Sequence, residues 1–386
     1  MRGKQIVGIF LLLITLGCVD RVFFDIPVPA KYSVSISGYI SDQPGPYTVN
    51  VYRAFDTESQ ESPRTGVSAR SVVISDNLGN SETLKQVLPG VYKTSPTGIR
   101  GEVGVAYKVR VEIGDGRVYE SIADTLRGGS KLDTTYYELN TRYTLDGIQH
   151  VIDVFVDAST DADLEAGNTY FMWSNMMSYK STTKPELEGT TPQTGQCYRD
   201  PAEGKCNYRN PCSGLKNVGT DRLPVIVRVK PCECCTCWYE QFNDQVFLND
   251  KIRSASGKFR GIRTDRIPVT GWNLMYKMRI EAAMQTLSPQ AYRFWKGVRD
   301  QRSAVYNIFQ PITGHIPGNI IQTAGTDDPA PGLFYATSFD SKVFYIFRGD
   351  VDEDIIPSTD LPNMGYFSCF QLAPNPTTAQ PSYWIE

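Results

Sequence analysis

The chain has 386 residues, of which 41% are hydrophobic and 21% charged, and its formal net charge is −3. This composition is typical of globular proteins and excludes a largely disordered chain. The chain is long enough for two domains of ordinary size, each with its own core. A mildly acidic chain without a basic patch argues against nucleic acid as a partner.

The first residues have the pattern of an export signal. Arg2 and Lys4 precede an apolar run over residues 6–16, which ends at Gly17-Cys18. A basic start, roughly 7–15 apolar residues and a small-residue boundary predict a secretory signal peptide over residues 1–17. The run is shorter than the roughly 20 residues of a membrane-spanning helix, so we do not expect it to act as a span.

Thr15-Leu16-Gly17-Cys18 resembles a bacterial lipoprotein box, in which the cysteine is acylated and becomes the mature N-terminus. The box departs from the usual pattern at Thr15, where leucine is preferred. The alternative is an ordinary secretory signal that contains a cysteine by chance. We expect lipidation at Cys18, because this cysteine stands where the apolar run ends. Residues 18–31 would then form an extended, lipidated tether that fixes the protein to a membrane.

Residues 32–126 consist of short runs of alternating apolar and polar residues, separated by turn residues. The Gly114-Asp115-Gly116 turn, between runs at 106–113 and 117–124, is a strong hairpin signal. No helical period occurs in this range. The pattern predicts an N-terminal β-sandwich domain of the immunoglobulin or transthyretin type.

Residues 131–386 predict a second β-rich domain that contains one helix. Its strand-like runs begin at 136–143 and 147–158, and others resume after a cysteine-rich insertion at about 181–238. Ser288-Pro289 combines a good N-cap with the residue favoured at the first helical position, which predicts a helix at about 289–302. The predicted fold class is therefore mainly β, with one clear α-helix.

Eight cysteines follow Cys18, and seven of them lie in or beside the insertion. The candidates for disulfide bonds are Cys197, Cys206, Cys212, Cys232, Cys234, Cys235, Cys237 and Cys369. Disulfides are the expected state of cysteines in an exported protein, although eight cysteines permit 105 pairings. Because seven cysteines cannot all pair with one another, we expect Cys369 to pair with the cluster, unless one thiol stays free.

The segment 232–237 places four cysteines within six residues, a density that also suits Cu(I) or zinc. A zinc site, however, usually has two separated pairs of ligands, and the chain contains only two histidines. A metal site and a redox role therefore stand as alternatives to structural disulfides, and we assign no metal ligand and no cofactor. The insertion is expected either to form a binding loop or to cap a sheet edge.

Trp238 and the adjacent Tyr239 follow the cysteine cluster and are candidates for binding a ligand or a partner. Aromatic rings can stack on sugars or on a partner protein, but in β proteins they mostly fill cores and cross-strand pairs. The sequence contains no Gly-x-Ser-x-Gly elbow, zinc-protease motif or phosphate-binding loop. We assign no catalytic residue and do not expect an enzyme.

Several stretches, in a consistent order, resemble a family of Bacteroidota lipoproteins known as domain of unknown function 4249. They include SVSISGYISDQPGPYTVNVYRA near the start, KLDTTYYEL, and LSPQAYRFWKGVRDQRS. The resemblance covers essentially the whole mature chain. It implies a lipid-anchored protein of the outer membrane that faces the cell surface, in a family whose genes often lie beside those of TonB-dependent transporters.

Two functions are consistent with this interpretation. The first is an accessory subunit that binds a TonB-dependent transporter or another outer-membrane β-barrel by non-covalent recognition. The second is a free-standing surface lipoprotein that binds a glycan or a peptide, with a metal-handling lipoprotein as a further alternative.

Overall fold

The computed structural model of the chain describes residues 34–53, 65–145, 147–162, 169–185, 198–199, 206–207, 211–220, 223, 225–243, 245–249, 257–305, 316–325, 330–357 and 368–385. The elements in chain order are β1 (Val34–Ser41), β2 (Thr48–Arg53), β3 (Ala69–Asp76), β4 (Ser81–Thr83), β5 (Lys85–Leu88), β6 (Val91–Lys93), β7 (Ala106–Ile113), β8 (Val118–Ser121), β9 (Asp124–Thr125), β10 (Lys131–Thr144), β11 (Gly147–Ser159), β12 (Tyr170–Thr182), β13 (Tyr198–Arg199), β14 (Cys206–Asn207), β15 (Leu215–Asn217), β16 (Ile226–Arg228), β17 (Thr236–Phe242), β18 (Phe247–Leu248), β19 (Lys258–Pro268), β20 (Lys277–Leu287), α1 (Pro289–Val305), β21 (Ile320–Ala324), β22 (Phe334–Thr337) and β23 (Phe339–Phe347). The predicted fold class is confirmed, since the described chain is mainly β with one α-helix.

The first sandwich consists of two sheets that face each other across one core. Their strand orders are β22-β1-β2-β6-β5 and β21-β8-β7-β3-β4, with β9 beside β7. Alternate residues of β7, from Tyr107 to Val111, are buried in this core, as the period of a half-buried strand requires. The sandwich predicted for residues 32–126 is therefore present.

Two strands from the second predicted domain complete this first sandwich. β22 pairs in parallel with β1, with Gly38 opposite Phe334, and β21 pairs with β8. Gly332 has φ +133, and a Cβ there would lie 1.9 Å from the carbonyl oxygen of Ile36, so the chain approaches β1 more closely than a larger residue permits. The predicted boundary between 32–126 and 131–386 is thus crossed by late strands, because pairing in space does not follow chain order.

The second sandwich contains most of the remaining strands. Its sheets have the orders β10-β11-β19 and β17-β12-β20-β23, with β18 beside β12. The long hairpin of β10 and β11 is paired from Lys131–Ser159 to Thr144–Gly147, with one shift of register between Leu132 and Thr134. Buried residues such as Ile152 and Met177 form its core, which lies between the two sheets.

The helix α1 begins where the sequence predicts. The Ser288 hydroxyl accepts a hydrogen bond from the Ala291 N–H at 3.2 Å, as an N-cap does, and Pro289 is the first helical residue. The helix continues three residues beyond the predicted end. Tyr292 stacks on Tyr170 of β12 with ring centroids 4.0 Å apart, which fixes α1 against the second sandwich. No helix in the described residues is long and apolar enough to cross a membrane.

A polar junction links the two sandwiches at Ser338, the single residue between β22 and β23. The Asp42 carboxylate accepts hydrogen bonds from the Ser338 hydroxyl at 2.5 Å and from the Phe339 N–H at 2.9 Å. Thr286 of β20 accepts from the Ser338 N–H and donates to the Arg127 carbonyl at 2.6 Å. Each partner satisfies a backbone group that the change of sheet would otherwise leave unpaired.

Asp124 is the buried carboxyl group of the same junction. It is 5% exposed, and its Oδ2 atom accepts a hydrogen bond from the Ala336 N–H at 3.1 Å. Desolvation by burial raises the pKa of Asp124, and this outweighs the hydrogen bond from Ser288 and the charge of Arg127, which both lower it. The protonated form is therefore favoured more in the folded than in the unfolded chain.

This pKa shift predicts how Asp124→Asn and Asp124→Ala will differ. The raised pKa contributes stability that is present below the unfolded-state pKa of about 4 and is lost as pH rises through the folded-state pKa. Asparagine keeps an acceptor without the charge, so the unfolding free energy of Asp124→Asn relative to the wild type should increase as pH rises above about 4. Alanine leaves the Ala336 N–H unpaired and should cost about 1–3 kcal/mol. Urea denaturation at several pH values measures both effects, and an advantage of asparagine that shrinks with pH would contradict the assignment.

Candidate functional site

Among the described residues, three disulfides form at the end of the second sandwich that lies away from the first. They join Cys212 to Cys234, Cys232 to Cys235, and Cys237 to Cys369, with Cα–Cα distances of 5.5, 5.6 and 5.7 Å. These distances are within the usual range for disulfides. The link from Cys369 to the cluster is the one that the odd number of clustered cysteines indicated.

Three other cysteines singled out in the sequence lie wholly or partly outside the described residues. Cys18 and Cys197 lie outside the described residues, as do the predicted signal peptide and tether. The backbone of Cys206 lies in β14, opposite Arg199, but its side chain is outside the described part of the structure. Within the described residues no group of three or more His, Cys, Asp or Glu side chains is placed to hold a metal ion.

The three disulfides close loops of very different length. The sequence separations are 132 residues for Cys237–Cys369, 22 for Cys212–Cys234 and 3 for Cys232–Cys235. In the chain-entropy model these loops correspond to about 5, 3 and 2 kcal/mol, respectively. The Cys237–Cys369 bond therefore constrains the unfolded chain most, and the Cys232–Cys235 bond least.

The Cys237–Cys369 bond fixes the C-terminal segment, residues 368–385, against the second sandwich. Both sulfur-bearing residues are fully buried, and the Tyr239 hydroxyl donates a hydrogen bond to the Cys369 carbonyl. The Cys369 N–H donates a hydrogen bond to the Cys234 carbonyl at 2.9 Å, which connects the Cys237–Cys369 disulfide to the Cys212–Cys234 disulfide. The insertion and the C-terminus are thus joined at one end of the molecule.

The structure does not support the proposed binding role of Tyr239. Its side chain is fully buried and stacks on Tyr179 with ring centroids 4.8 Å apart. Burial raises the pKa of Tyr239 to about 12, so its hydroxyl stays neutral at physiological pH. The ring is a cross-strand core residue and offers no face to a ligand in solution.

Trp238 is also covered, although it points to the other face of its sheet. It is only 9% exposed, and Lys180 lies over its ring at 5.5 Å. Its backbone pairs with Thr377 of the C-terminal segment. The prediction of a binding platform at Trp238 and Tyr239 overlooked this segment, because nothing in the local sequence shows that residues more than 130 positions later cover the strand.

Two exposed apolar surfaces occur instead at this end of the molecule. The first, the hairpin tip, consists of Leu139, Tyr143, Leu145 and Ile148 at the turn between β10 and β11. The second, the insertion patch, consists of Val218, Leu223, Val225 and Val229 around the β15–β16 hairpin, each more than half exposed. Large apolar side chains exposed together are more often interaction surfaces than single exposed ones.

The hairpin tip continues the inner face of the second sandwich. Leu139 is paired with Ile152, which is buried in the core, and four pairs farther out Tyr143 is opposite Ile148 on the same face. Tyr143 is 85% exposed and Ile148 is 65% exposed. The face that fills the core thus extends beyond the facing sheet, and among the described residues no side chain covers it.

The base of this hairpin is held by a buried ion pair on the opposite face. Arg266 donates two hydrogen bonds to the Asp153 carboxylate, at 2.6 and 2.9 Å, and Asn140 donates a third. The hydrogen bond from Arg266 is the largest cause that lowers the pKa of Asp153, so this carboxyl group is charged at neutral pH. A bidentate pair of this kind fixes the direction of the hairpin.

Strand directions place Val34, where the described chain begins, and the hairpin tip at opposite ends. β1 runs from Val34 toward Asp42 at the junction, so Val34 lies at the outer end of the first sandwich. β10 starts at the junction, where the Leu132 N–H donates to Asp340, and runs beside β23, since Tyr137 stacks on Phe344. Its tip therefore lies at the far end of the second sandwich.

The hairpin tip is not marked by a distinctive pattern in the sequence. The alternation of strand residues continues through 136–148, and this alone is typical of any hairpin. The signal that was present is an apolar residue, Leu145, in the turn itself, where polar residues are usual. Only the length of the opposing sheet shows that Tyr143 and Ile148 extend beyond it.

The disulfide loops generate a prediction about stability. Replacing both Cys237 and Cys369 by alanine should lower the unfolding free energy by up to about 5 kcal/mol, because the longest loop is opened. The matched replacement of Cys232 and Cys235 should cost about 2 kcal/mol or less. Chemical denaturation of the two variants, each with the other disulfides intact, measures the difference. A larger loss for the Cys232/Cys235 variant would contradict the ranking.

Comparison with known proteins assigns the family. The family model described as "Domain of unknown function (DUF4249)" matches residues 20–343. No curated protein matches the chain. Two solved structures of Escherichia coli alpha-2-macroglobulin, trypsin-activated and native, are 10% and 9% identical over 69% of this chain, each with a TM-score of 0.16. The chain spans only 15% and 14% of their lengths. Because the family model covers most of its length, the chain belongs to the DUF4249 family.

Proposed function

We propose that this chain is an outer-membrane lipoprotein that faces the cell surface and binds an outer-membrane β-barrel of the TonB-dependent transporter class as an accessory subunit. The observation that carries the proposal is the uncovered hairpin tip at the end of the molecule opposite to Val34. The protein acts by non-covalent recognition, and the lipid at Cys18 supplies its location.

The anchor is supported by the sequence around Cys18. Each buried methylene of an acyl chain contributes about 0.8 kcal/mol, so several chains hold a protein firmly at a membrane. The first strand of the first sandwich begins at Val34, at the outer end of that sandwich. A protein attached in this way presents the hairpin tip and the insertion patch away from its point of attachment.

The hairpin tip has the properties of a preformed binding element. Its apolar residues are exposed, and its base is fixed by the Arg266–Asp153 pair. A rigid apolar projection loses little conformational entropy on binding, which favours affinity. Exposed tyrosine is also among the residues that contribute most to interfaces.

A barrel is the partner class that fits a lipid-anchored protein of this membrane. Proteins that span the outer membrane are β-barrels with long extracellular loops. A protein anchored in the same membrane meets such loops at a high local concentration, because the anchor confines both molecules to one surface. The apolar hairpin tip would insert between those loops.

The free-standing glycan binder is less well supported. That alternative depended on Trp238 as a stacking platform, and Trp238 is covered by Lys180 and the C-terminal segment. The exposed side chains that define the hairpin tip are apolar, and on the same face the polar groups are those of the Thr141–His150 pair, which contact each other. A protein partner is therefore the better proposal.

The anchor is tested by Cys18→Ser in the full-length chain. Without the acylated thiol the exported protein should appear in the culture supernatant or the periplasm instead of the membrane fraction. Metabolic labelling with a fatty acid and immunoblotting of the fractions measure the change. Unchanged membrane association, with no lipid on the wild-type protein, would refute the anchor.

The binding surface is tested by replacing Tyr143, Leu145 and Ile148 together by serine. The stability should change little, because these side chains are exposed, while recovery of a barrel protein in a native pull-down should fall by about tenfold or more. Circular dichroism and quantitative mass spectrometry of the pull-down measure the two results.

A matched control is the replacement of Leu78, Leu88 and Val103 by serine. These residues are more than 60% exposed but lie on the first sandwich. This variant should recover the barrel as well as the wild type does. Equal recovery by both triple variants would refute the role of the hairpin tip, and recovery of the wild-type lipoprotein alone would refute the barrel partner.

A further inference from the structure

The Cys232–Cys235 disulfide differs from the other two in its exposure. Both of its cysteines are half-buried, whereas Cys237 and Cys369 are fully buried. In the Cys212–Cys234 disulfide, Cys234 is fully buried and Cys212 is half-buried, so this bond is protected on the side of Cys234. A soluble thiol can therefore approach Cys232–Cys235 more readily than the other two bonds, and exchange requires such an approach.

The backbone around this disulfide is held by other bonds. The Thr183 N–H donates to the Cys235 carbonyl at 2.7 Å, and the Glu233 N–H donates to the Cys212 carbonyl at 2.8 Å. The Cys369 N–H donates to the Cys234 carbonyl between them. None of these bonds depends on the Cys232–Cys235 linkage. If that linkage opens, the two thiols remain next to each other and can close again.

The short sequence separation of Cys232 and Cys235 also distinguishes their bond from the other two. Cys232 and Cys235 are three residues apart, so their bond closes the shortest loop of the three and constrains the unfolded chain least. The long-range connections at this end of the molecule are made by Cys212–Cys234 and Cys237–Cys369. The fold therefore does not depend on the Cys232–Cys235 bond.

The local charges also permit a thiolate at this site. Glu233, between the two cysteines, forms an ion pair with Lys230 at 2.9 Å. The lysine ammonium offsets the negative charge that would otherwise oppose a neighbouring thiolate. Both side chains are partly exposed, so this effect is small, and it adds to the accessibility of the site.

We propose that Cys232–Cys235 is a thiol–disulfide exchange site that accepts two electrons from a dithiol, while the other two disulfides remain structural. A thiolate of the dithiol attacks one sulfur of the pair, the Cys232–Cys235 bond breaks, and the other cysteine leaves as a thiolate that takes up a proton. The second thiol of the dithiol, on losing its proton, attacks the mixed disulfide and releases the first cysteine. The cysteine pair gains two electrons and two protons, and the dithiol becomes a disulfide.

The proposal is tested on the full-length, membrane-extracted protein with dithiothreitol as the dithiol. After equilibration at graded concentrations, free thiols are alkylated and identified by peptide mass spectrometry. Cys232 and Cys235 should become labelled at a dithiothreitol concentration about tenfold or more below that needed for the other pairs. The near-ultraviolet circular dichroism should stay unchanged, and replacing the reductant with glutathione disulfide, which is reduced to two glutathione thiols, should restore the bond.

Three results would overturn the proposal. They are simultaneous labelling of Cys212 and Cys234, loss of the native circular dichroism signal during the first reduction, and resistance of Cys232–Cys235 until the protein unfolds. Each would mean that the bond belongs to the structural set.

Two variants separate exchange from mere lability. Cys232→Ala/Cys235→Ala should consume no dithiothreitol in the low concentration range and should keep both remaining disulfides. Cys232→Ser leaves one thiol at Cys235, which should form a mixed disulfide with glutathione disulfide, detected as added mass on that residue. Transfer of the label to Cys212 or Cys234, or no reaction at Cys235 in the folded protein, would contradict an exchange site.

Discussion

The arrangement of the molecule depends on one strand path that belongs to both sandwiches. Residues 334–347 pair with β1 in the first sandwich and with β20 in the second, and only Ser338 separates the two halves of the path. The carboxylates of Asp42 and Asp124 accept hydrogen bonds from backbone N–H groups of this path, at Phe339 and Ala336. Buried backbone groups must be paired, so these contacts fix the point at which the chain leaves one sheet and enters the next. The placement of Val34, where the described chain begins, and of the hairpin tip at opposite ends follows from this path.

At the far end of the second sandwich, covalent bonds complete what packing alone does not. In the described part of the insertion, Cys212–Cys234 closes a loop within the insertion, and Cys237–Cys369 ties it to the C-terminal segment. That segment in turn covers Trp238, and the Tyr239 hydroxyl contributes a hydrogen bond to it. The hairpin tip, the insertion patch and the Cys232–Cys235 bond remain exposed to solvent, because the C-terminal segment does not cover them.

Local sequence signals predicted local features well. Ser288-Pro289 marked the start of the helix, because an N-cap hydroxyl and the fixed φ of proline act on adjacent residues. The cysteine count indicated a bond to Cys369, because it is an argument about parity and needs no distance. Trp238 and Tyr239, which the sequence offered as binding candidates, are buried, because burial depends on residues that are remote in the chain. The exposure of the hairpin tip likewise depends on a remote element, because it is set by where the facing sheet ends.

By itself, the sequence predicted the mainly β class, the start of helix α1, disulfides as the expected state of the clustered cysteines and a resemblance to the family, because propensity, capping and composition act over a few residues. The tertiary structure decided that late strands complete the first sandwich, that Cys237 is the partner of Cys369, and that the face formed by Leu139, Tyr143 and Ile148 is left uncovered. Each of these features joins groups that are distant in the chain. Their proximity follows from the packing of whole sheets, which no local pattern encodes.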